Sequence, residues 1–222
     1  MATIVFDFDG TLHDSMYIYR IALRRGYAWL VERGEAPPRE LTDEDLAANI
    51  GLTAKEAWER MCPDIPWSVS RHAASRVGQI MHELMRDGTA RLFPGVTEML
   101  TQVKDAGHTL VFLSNCSTEY LRAAREAFGL DQWFDGYYAA EQFDWAPKEQ
   151  IFEAIRQDVA GSYIAVGDRY KDLALARAHE LPSVGCTFGY GSEEELSGAT
   201  CLARAVSEIP ACIEQLASEL TS

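Results

Sequence analysis

The sequence predicts an α/β fold, a doubly wound parallel sheet with a small block of helices inserted after its first strand. Three observations carry this. Apolar runs of strand length, such as Ile4 to Phe6, Thr109 to Leu113 and Tyr163 to Val166, each end in polar residues. From residue 91 onward such runs alternate with stretches of helical periodicity, a pattern that gives a parallel sheet covered on both faces and joined by right-handed crossovers. Between residues 14 and 90, by contrast, nothing strand-like occurs. The predicted division is therefore 1–13 with 91–222 for the α/β part and 14–90 for the helical part. Asp87-Gly88-Thr89 and Pro94-Gly95 supply turning positions near the second junction.

Each element has its own signal. The first strand runs into Asp7-Phe8-Asp9-Gly10-Thr11-Leu12, where Gly10 lets the backbone turn sharply. Tyr19, Leu23, Tyr27 and Leu30 recur at helical spacing between Asp14 and Gly34, with Arg20, Arg24, Arg25 and Arg33 on other faces. Gly34 and Pro37-Pro38 end that helix. Further helices are predicted near Thr42 to Asn49, Thr53 to Met61 and Ser68 to Arg86, the second opened by the capping-box string Thr53-Ala54-Lys55-Glu56. A helix from Val96 to Ala106 then leads through Gly107 to the strand Thr109 to Leu113, which ends in Ser114-Asn115. The order continues with a helix from Ser117 to Phe128, a strand from Gly136 to Ala139, a helix from Glu149 to Asp158 and the strand Tyr163 to Val166. A helix from Asp172 to Glu180, a strand from Ser183 to Thr187 and a closing helix from about Ser207 to Leu220 complete it. Ser192 and Glu195 have the form of another capping box.

Bulk properties narrow the functional classes. The chain has 222 residues, 47 % of them hydrophobic and 24 % charged, which suits one sizeable core with an inserted unit. Acidic residues outnumber basic ones by 34 to 20, a formal net charge of -14 that opposes broad contact with nucleic acid or anionic membrane. No membrane-length apolar stretch and no leader is apparent, so the expected location is the cytoplasm. The five cysteines (Cys62, Cys116, Cys186, Cys201 and Cys212) show no CxxC spacing and are expected to be reduced, mostly as small buried side chains. The five tryptophans are expected to pack in the interior.

In a doubly wound sheet the ligand site lies beyond the carboxyl ends of the strands, so the polar residues ending the apolar runs are the candidates. In an extended segment Asp7 and Asp9 point the same way and converge. Converging carboxylates repel unless a cation lies between them, and an oxygen-loving ion such as Mg²⁺ is the usual answer. A carboxylate can attack phosphorus to give an aspartyl phosphate, and a second carboxyl can protonate the leaving oxygen and later take a proton from water. Ser114-Asn115 at a strand-to-helix turn suits a phosphoryl oxygen, although Ser and Asn also serve as plain helix caps. Lys148, before a helix, offers a point cation that would lower the repulsion between nucleophile and phosphate. Gly167-Asp168-Arg169-Tyr170-Lys171-Asp172 places two acids four residues apart, on one face of an opening helix.

These four stations, in this order, resemble the motifs of the haloacid-dehalogenase-like phosphohydrolase superfamily, whose core is Rossmann-like. The resemblance covers most of residues 1–13 and 91–210. It implies Asp7 as nucleophile and Asp9 as acid and base, with Ser114 matching the second motif. It also implies Lys148 as the charge beside the nucleophile, although Glu149 stands where a proline is common. Asp168 becomes a side-chain ligand of Mg²⁺ with Asp7 and the main-chain carbonyl of Asp9, and Asp172 supports Lys148 and the metal's shell. Thr11, Ser114, Asn115 and Lys148 are the candidate phosphate contacts. An acid at position 9 separates phosphatases and phosphomutases from the superfamily's dehalogenases, phosphonate hydrolases and transport ATPases.

The helical block resembles the small cap of the phosphoglycolate-phosphatase and phosphoglucomutase branch. It would exclude water and select the substrate, with Arg20, Arg24 and the turn Gly51-Leu52-Thr53 as candidates. His13 stands where the family usually has an apolar side chain. The function expected is a Mg²⁺-dependent phosphatase of a small phosphorylated metabolite, phosphoglycolate-like or sugar-phosphate-like, monomeric or homodimeric. A phosphomutase is the alternative enzyme, and a non-catalytic phospholigand- or partner-binding relative the alternative of another class.

Overall fold

A computed structural model describes residues 1–47, 49 and 52–220. The chain forms two compact units, Met1–Asp14 with Leu92–Ser222, and Ser15–Arg91. The first is built on six strands: β1 (Thr3–Phe6), β2 (Thr109–Ser114), β3 (Gly136–Ala139), β4 (Tyr163–Gly167), β5 (Ser183–Cys186) and β6 (Cys201–Ala203). They lie in the order β3-β2-β1-β4-β5-β6, and every neighbouring pair is parallel. Strand β1 is central, with Phe6 level with Phe112 on one side and Val166 on the other. All four of its residues are buried, as a strand covered on both faces requires.

The pleat sorts these strands into two apolar faces. Val5, Val111, Leu113 and Ala165 join Ile151, Phe152 and Ile155 of α7 (Lys148–Asp158) and Leu175 of α8 (Tyr170–Ala178) in one buried cluster. The alternate residues Ile4, Phe6, Leu110, Phe112 and Ile164 are fully buried as well. Helix α9 (Ile209–Glu219) lies on β4, β5 and β6 and beside α5 (Val96–Asp105). Helix α6 (Thr118–Phe128) follows β2 and is capped by Ser117, whose Oγ accepts from the Tyr120 N–H at 3.1 Å. The doubly wound parallel α/β fold predicted from the sequence is the fold observed.

The second unit is helical. It contains α1 (Ser15–Glu32), α2 (Asp43–Ala47), α3 (Ala54–Met61) and α4 (Trp67–Arg86). Helix α1 packs on α4, and α3 packs on α4. Leu23, Tyr27 and Leu30 of the predicted stripe are buried with Met16, Ile18 and Ala22. Thr53 and Glu56 close the predicted capping box, with Thr53 N–H donating to Glu56 Oε2 at 2.7 Å. Gly51 and residue 48, within the predicted turn and second helix, lie outside the described residues. Among the described residues no helix is long and apolar enough to cross a membrane.

Four expectations are corrected. Strand β6 was not anticipated, because Cys201-Leu202-Ala203 is too short to show a period. Cys201 and Cys212 form a disulfide with Cα atoms 6.0 Å apart, while Cys62, Cys116 and Cys186 are free and buried. The pairing follows from β6 and α9 meeting in the fold, which linear spacing does not reveal. Ser192 accepts from the Glu195 N–H at 3.1 Å, but no helix follows. The Glu195 carboxylate turns instead to Arg169 Nε and the Tyr170 N–H, each at 2.8 Å. Trp58 is buried, whereas Trp145 is 59 % exposed in a left-handed turn.

Candidate active site

Strands β1 and β4 are neighbours, so the residues that leave their carboxyl ends are forced together. Asp7 and Asp168 leave those ends, and Asp172 comes from the first turn of α8. Ligand oxygens of these three buried carboxylates lie within 4.8 Å of one another. Lys148, the first residue of α7, bridges them. Its Nζ donates to Asp172 Oδ1 at 2.6 Å and to Asp7 Oδ1, and it is 4 % exposed. The two acids of the fourth motif meet for a different reason than a shared helix face. Asp168 precedes α8, and Asp172 caps it by accepting from the Arg169 N–H at 3.0 Å.

Two glycines permit this crowding. Gly10 has φ +89°, and a Cβ there would lie 2.3 Å from Asp168 Oδ2. A Cβ on Gly189 would lie 2.3 Å from the Gly10 carbonyl oxygen and 2.5 Å from Asp168 Cβ. The loop after β5 is thereby drawn against the site, where the Tyr190 N–H donates to Asp168 Oδ2 at 2.7 Å. Thr11 Oγ1 stands 3.4 Å from both Asp7 Oδ2 and Asp168 Oδ1. Lys148 is delivered by a turn in which Asp144 and Trp145 both have positive φ, a costly conformation for such residues.

Electrostatics fit a cation here. Burial raises the Asp7 carboxyl to about 7, with Lys148 opposing and Asp172 and Asp9 adding to the rise. Burial likewise lifts Asp168 well above the carboxylate range, helped by Asp7 and Asp172. Lys148 loses ground to burial but is held above an ordinary lysine by Asp172 and Asp7. One ammonium cannot balance three carboxylates. The oxygen-only donor set of Asp7, Asp168 and Asp172 suits a hard divalent ion such as Mg²⁺.

Asp9 stands at the rim with its side chain 35 % exposed. Its Oδ1 accepts from Tyr120 Oη at 2.8 Å and lies 2.9 Å from His13 Nδ1. Burial, followed by the charge of Asp9, keeps the Tyr120 phenol well above its usual pKa. Sequence reasoning missed Tyr120, since a tyrosine in the first turn of a helix carries no chemical signature. Ser114 is buried at the end of β2, Asn115 is exposed, and neither caps α6, because Ser117 does. Within the helical unit, Arg24 Nη2 pairs with Asp43 Oδ1 at 2.7 Å and donates to the Leu41 carbonyl at 3.3 Å. Arg20 Nη1 lies 3.9 Å from Asp43 Oδ2.

Comparison with known proteins follows the same lines. The chain is 30 % identical to a phosphoglycolate phosphatase of Caulobacter vibrioides, over 98 % of this chain and 93 % of that one. It is 28 % identical to a phosphoglycolate phosphatase of Synechococcus elongatus, over 90 % of each. The crystal structure of CbbY from Rhodobacter sphaeroides in complex with phosphate superposes with a TM-score of 0.76 at 22 % identity, over 94 % of this chain and 96 % of that one, which establishes the shared fold. The family model for haloacid dehalogenase-like hydrolases matches residues 1–180. The chain therefore belongs to the haloacid dehalogenase-like hydrolase family and is one of its phosphoric monoester hydrolases.

Proposed function

We propose that this phosphatase hydrolyses a small phosphorylated metabolite, phosphoglycolate-like or a sugar phosphate, through an aspartyl phosphate on Asp7. The observation that carries this reading is the buried Lys148 bridging Asp7 and Asp172, with Asp168 in the same cluster. Asp7, fixed by Lys148, attacks phosphorus as its P–O bond to the leaving oxygen breaks, and Asp9 gives that oxygen a proton. A water then attacks the phosphorus, returning a proton to Asp9 and freeing Asp7. Lys148 holds the nucleophile and offsets part of the negative charge that gathers as phosphate arrives. Asp7, Asp168 and Asp172, with the Asp9 carbonyl, are the residues to hold Mg²⁺. When bound, the ion supplies the remaining charge neutralisation.

Thr11, Ser114 and Asn115 are assigned to the phosphate. The helical unit Ser15–Arg91 is assigned to substrate selection, with Arg20 and Arg24 as its candidate anion contacts. The phosphoglycolate-like reading is supported by the names of the two relatives matched over most of their length. A panel of phosphorylated metabolites, including phosphoglycolate and hexose phosphates, assayed with Mg²⁺ and with EDTA, tests the reading. Turnover should be Mg²⁺-dependent and abolished by Asp7→Asn. Undiminished hydrolysis by a folded Asp7→Asn protein would defeat it.

A further inference from the structure

Asp9 needs help that Asp7 does not. Asp7 is locked by burial and by Lys148, whereas Asp9 is one-third exposed and, among the described residues, pairs with no lysine. What it has instead is a closed triangle. Tyr120 Oη lies 2.8 Å and His13 Nδ1 2.9 Å from the same oxygen, Asp9 Oδ1, and the two donors lie 3.1 Å apart. His13 is 0 % exposed. Its ring stacks on Phe8 with centroids 5.0 Å apart and planes at 22°, and Phe128 lies 5.7 Å away. Its Nε2 is buried with no hydrogen-bond partner among the described residues.

That orphan nitrogen decides the tautomer. With the proton on Nε2, an N–H would face an aromatic cage while the Nδ1 lone pair faced a carboxylate, and Nδ1 could be satisfied only by drawing the Tyr120 hydroxyl proton away from Asp9. With the proton on Nδ1, the ring donates to Asp9 and only one nitrogen goes unpaired. Both donors then converge on Oδ1, and Oδ2 is left to carry the proton.

We infer that Tyr120 and His13 are positioning residues for the general acid, pinning Oδ1 of Asp9 so that Oδ2 faces the leaving oxygen. The inference rests on the phosphatase reading of Asp7 and Asp9. The proton moves from Oδ2 to the leaving oxygen as the phosphorus–oxygen bond breaks and the bond to Asp7 forms. A carboxyl free to rotate about its side-chain torsions spends only part of its time in that pose.

The test is the dependence of kcat/KM on the leaving group, since kcat/KM reports the step that needs the acid. Dinitrophenyl, nitrophenyl and phenyl phosphates form a series in which the leaving oxygen needs progressively more protonation. General acid catalysis contributes about 10²–10⁴-fold in rate, so Tyr120→Phe should reduce kcat/KM for phenyl phosphate by roughly tenfold or more. The loss on dinitrophenyl phosphate should be less than about threefold, because that leaving group hardly needs the acid. His13→Val should behave in the same way, whereas His13→Asn, whose amide nitrogen can replace Nδ1, should recover most of the loss.

An equal loss along the series, no loss at all, or failure of His13→Asn to improve on His13→Val would overturn the inference. Should Tyr120→Phe not fold, the two His13 variants carry the test. Activity retained by Asp7→Asn would instead defeat the phosphatase reading itself, so the two failures are distinguishable.

Discussion

Replacing Lys148 by Met probes the centre of the site most directly. The substitution keeps the length of the side chain and removes the ammonium that bridges Asp7 and Asp172. Three buried carboxylates whose oxygens lie within 4.8 Å would remain. At that separation two unit charges repel by roughly 3.5 kcal/mol for an effective dielectric constant of about 20. Breaking a buried ion pair on one side typically destabilises by about 3–5 kcal/mol. In EDTA at about pH 8, with a urea slope of about 2 kcal/mol/M, this is a fall in midpoint of about 1.5–2.5 M.

The loss should shrink toward lower pH, and the sign can be worked from Asp7. Its folded carboxyl is already raised to about 7 with Lys148 opposing the rise. Removing Lys148 raises it further, so the folded variant binds more protons than its unfolded chain. Its stability must then decrease as pH increases through that range. Millimolar Mg²⁺ should raise the midpoint of the variant by more than that of the wild type, because the ion meets a larger uncompensated charge. Turnover should fall by roughly 10²–10³-fold. A variant with a wild-type midpoint in EDTA at pH 8 would refute the account of Lys148 as the balancing charge.

Other expectations concern parts of the chain outside that ion pair. Gly10→Ala places a Cβ against Asp168 in a left-handed backbone, so it should weaken Mg²⁺ protection in thermal melts and destabilise by about 1–3 kcal/mol. Burial holds the Tyr19 phenol up at about 12. The folded protein therefore keeps that proton where the unfolded chain loses it, and the contribution of Tyr19, present below pH 10, disappears as pH rises toward 12. At about 1.4 kcal/mol per unit the wild type should lose about 2–3 kcal/mol more than Tyr19→Phe across this range, read by urea titration. Opening the Cys201–Cys212 link, which closes a short loop of sequence separation 11, should lower stability by about 2–3 kcal/mol, checked by Cys212→Ser. Asp144→Gly should relieve a left-handed residue and raise the melting midpoint by the equivalent of about 1 kcal/mol without changing KM.

Much of this was legible in the chain because the strands leading to the site are buried on both faces and read as unbroken apolar runs. Ile4 to Phe6 and Tyr163 to Val166 could be placed without knowing what lay beside them, and the polar residues ending them were obvious candidates. The form of the first motif required a turn at Gly10, and the structure supplies the reason in the approach of Asp168. Tertiary neighbours were harder to see. The contact of Tyr120 with Asp9 spans residues far apart in sequence and uses a side chain with many ordinary uses. The Cys201–Cys212 pair depends on a three-residue edge strand that has no room to show a period. Glu195 looked like a helix cap because its spacing from Ser192 fits, yet the nearby Arg169 guanidinium and Tyr170 N–H compete better for its carboxylate.

The central position of β1 has a consequence for how the molecule is made. Thr3 is aligned with Thr109 on one side and Tyr163 on the other, so this apolar segment, once synthesised, finds its second partner 160 residues later. At about 5–20 residues per second of translation, that wait is roughly 8–30 seconds. During it Ile4-Val5-Phe6 is a hydrophobic strand with one edge unsatisfied, the kind of surface on which nascent chains stick to one another. A ribosome stalled before β4 would thus hold a chain with Asp7 made, Asp168 and Asp172 still missing from beside it, and a strong tendency to aggregate.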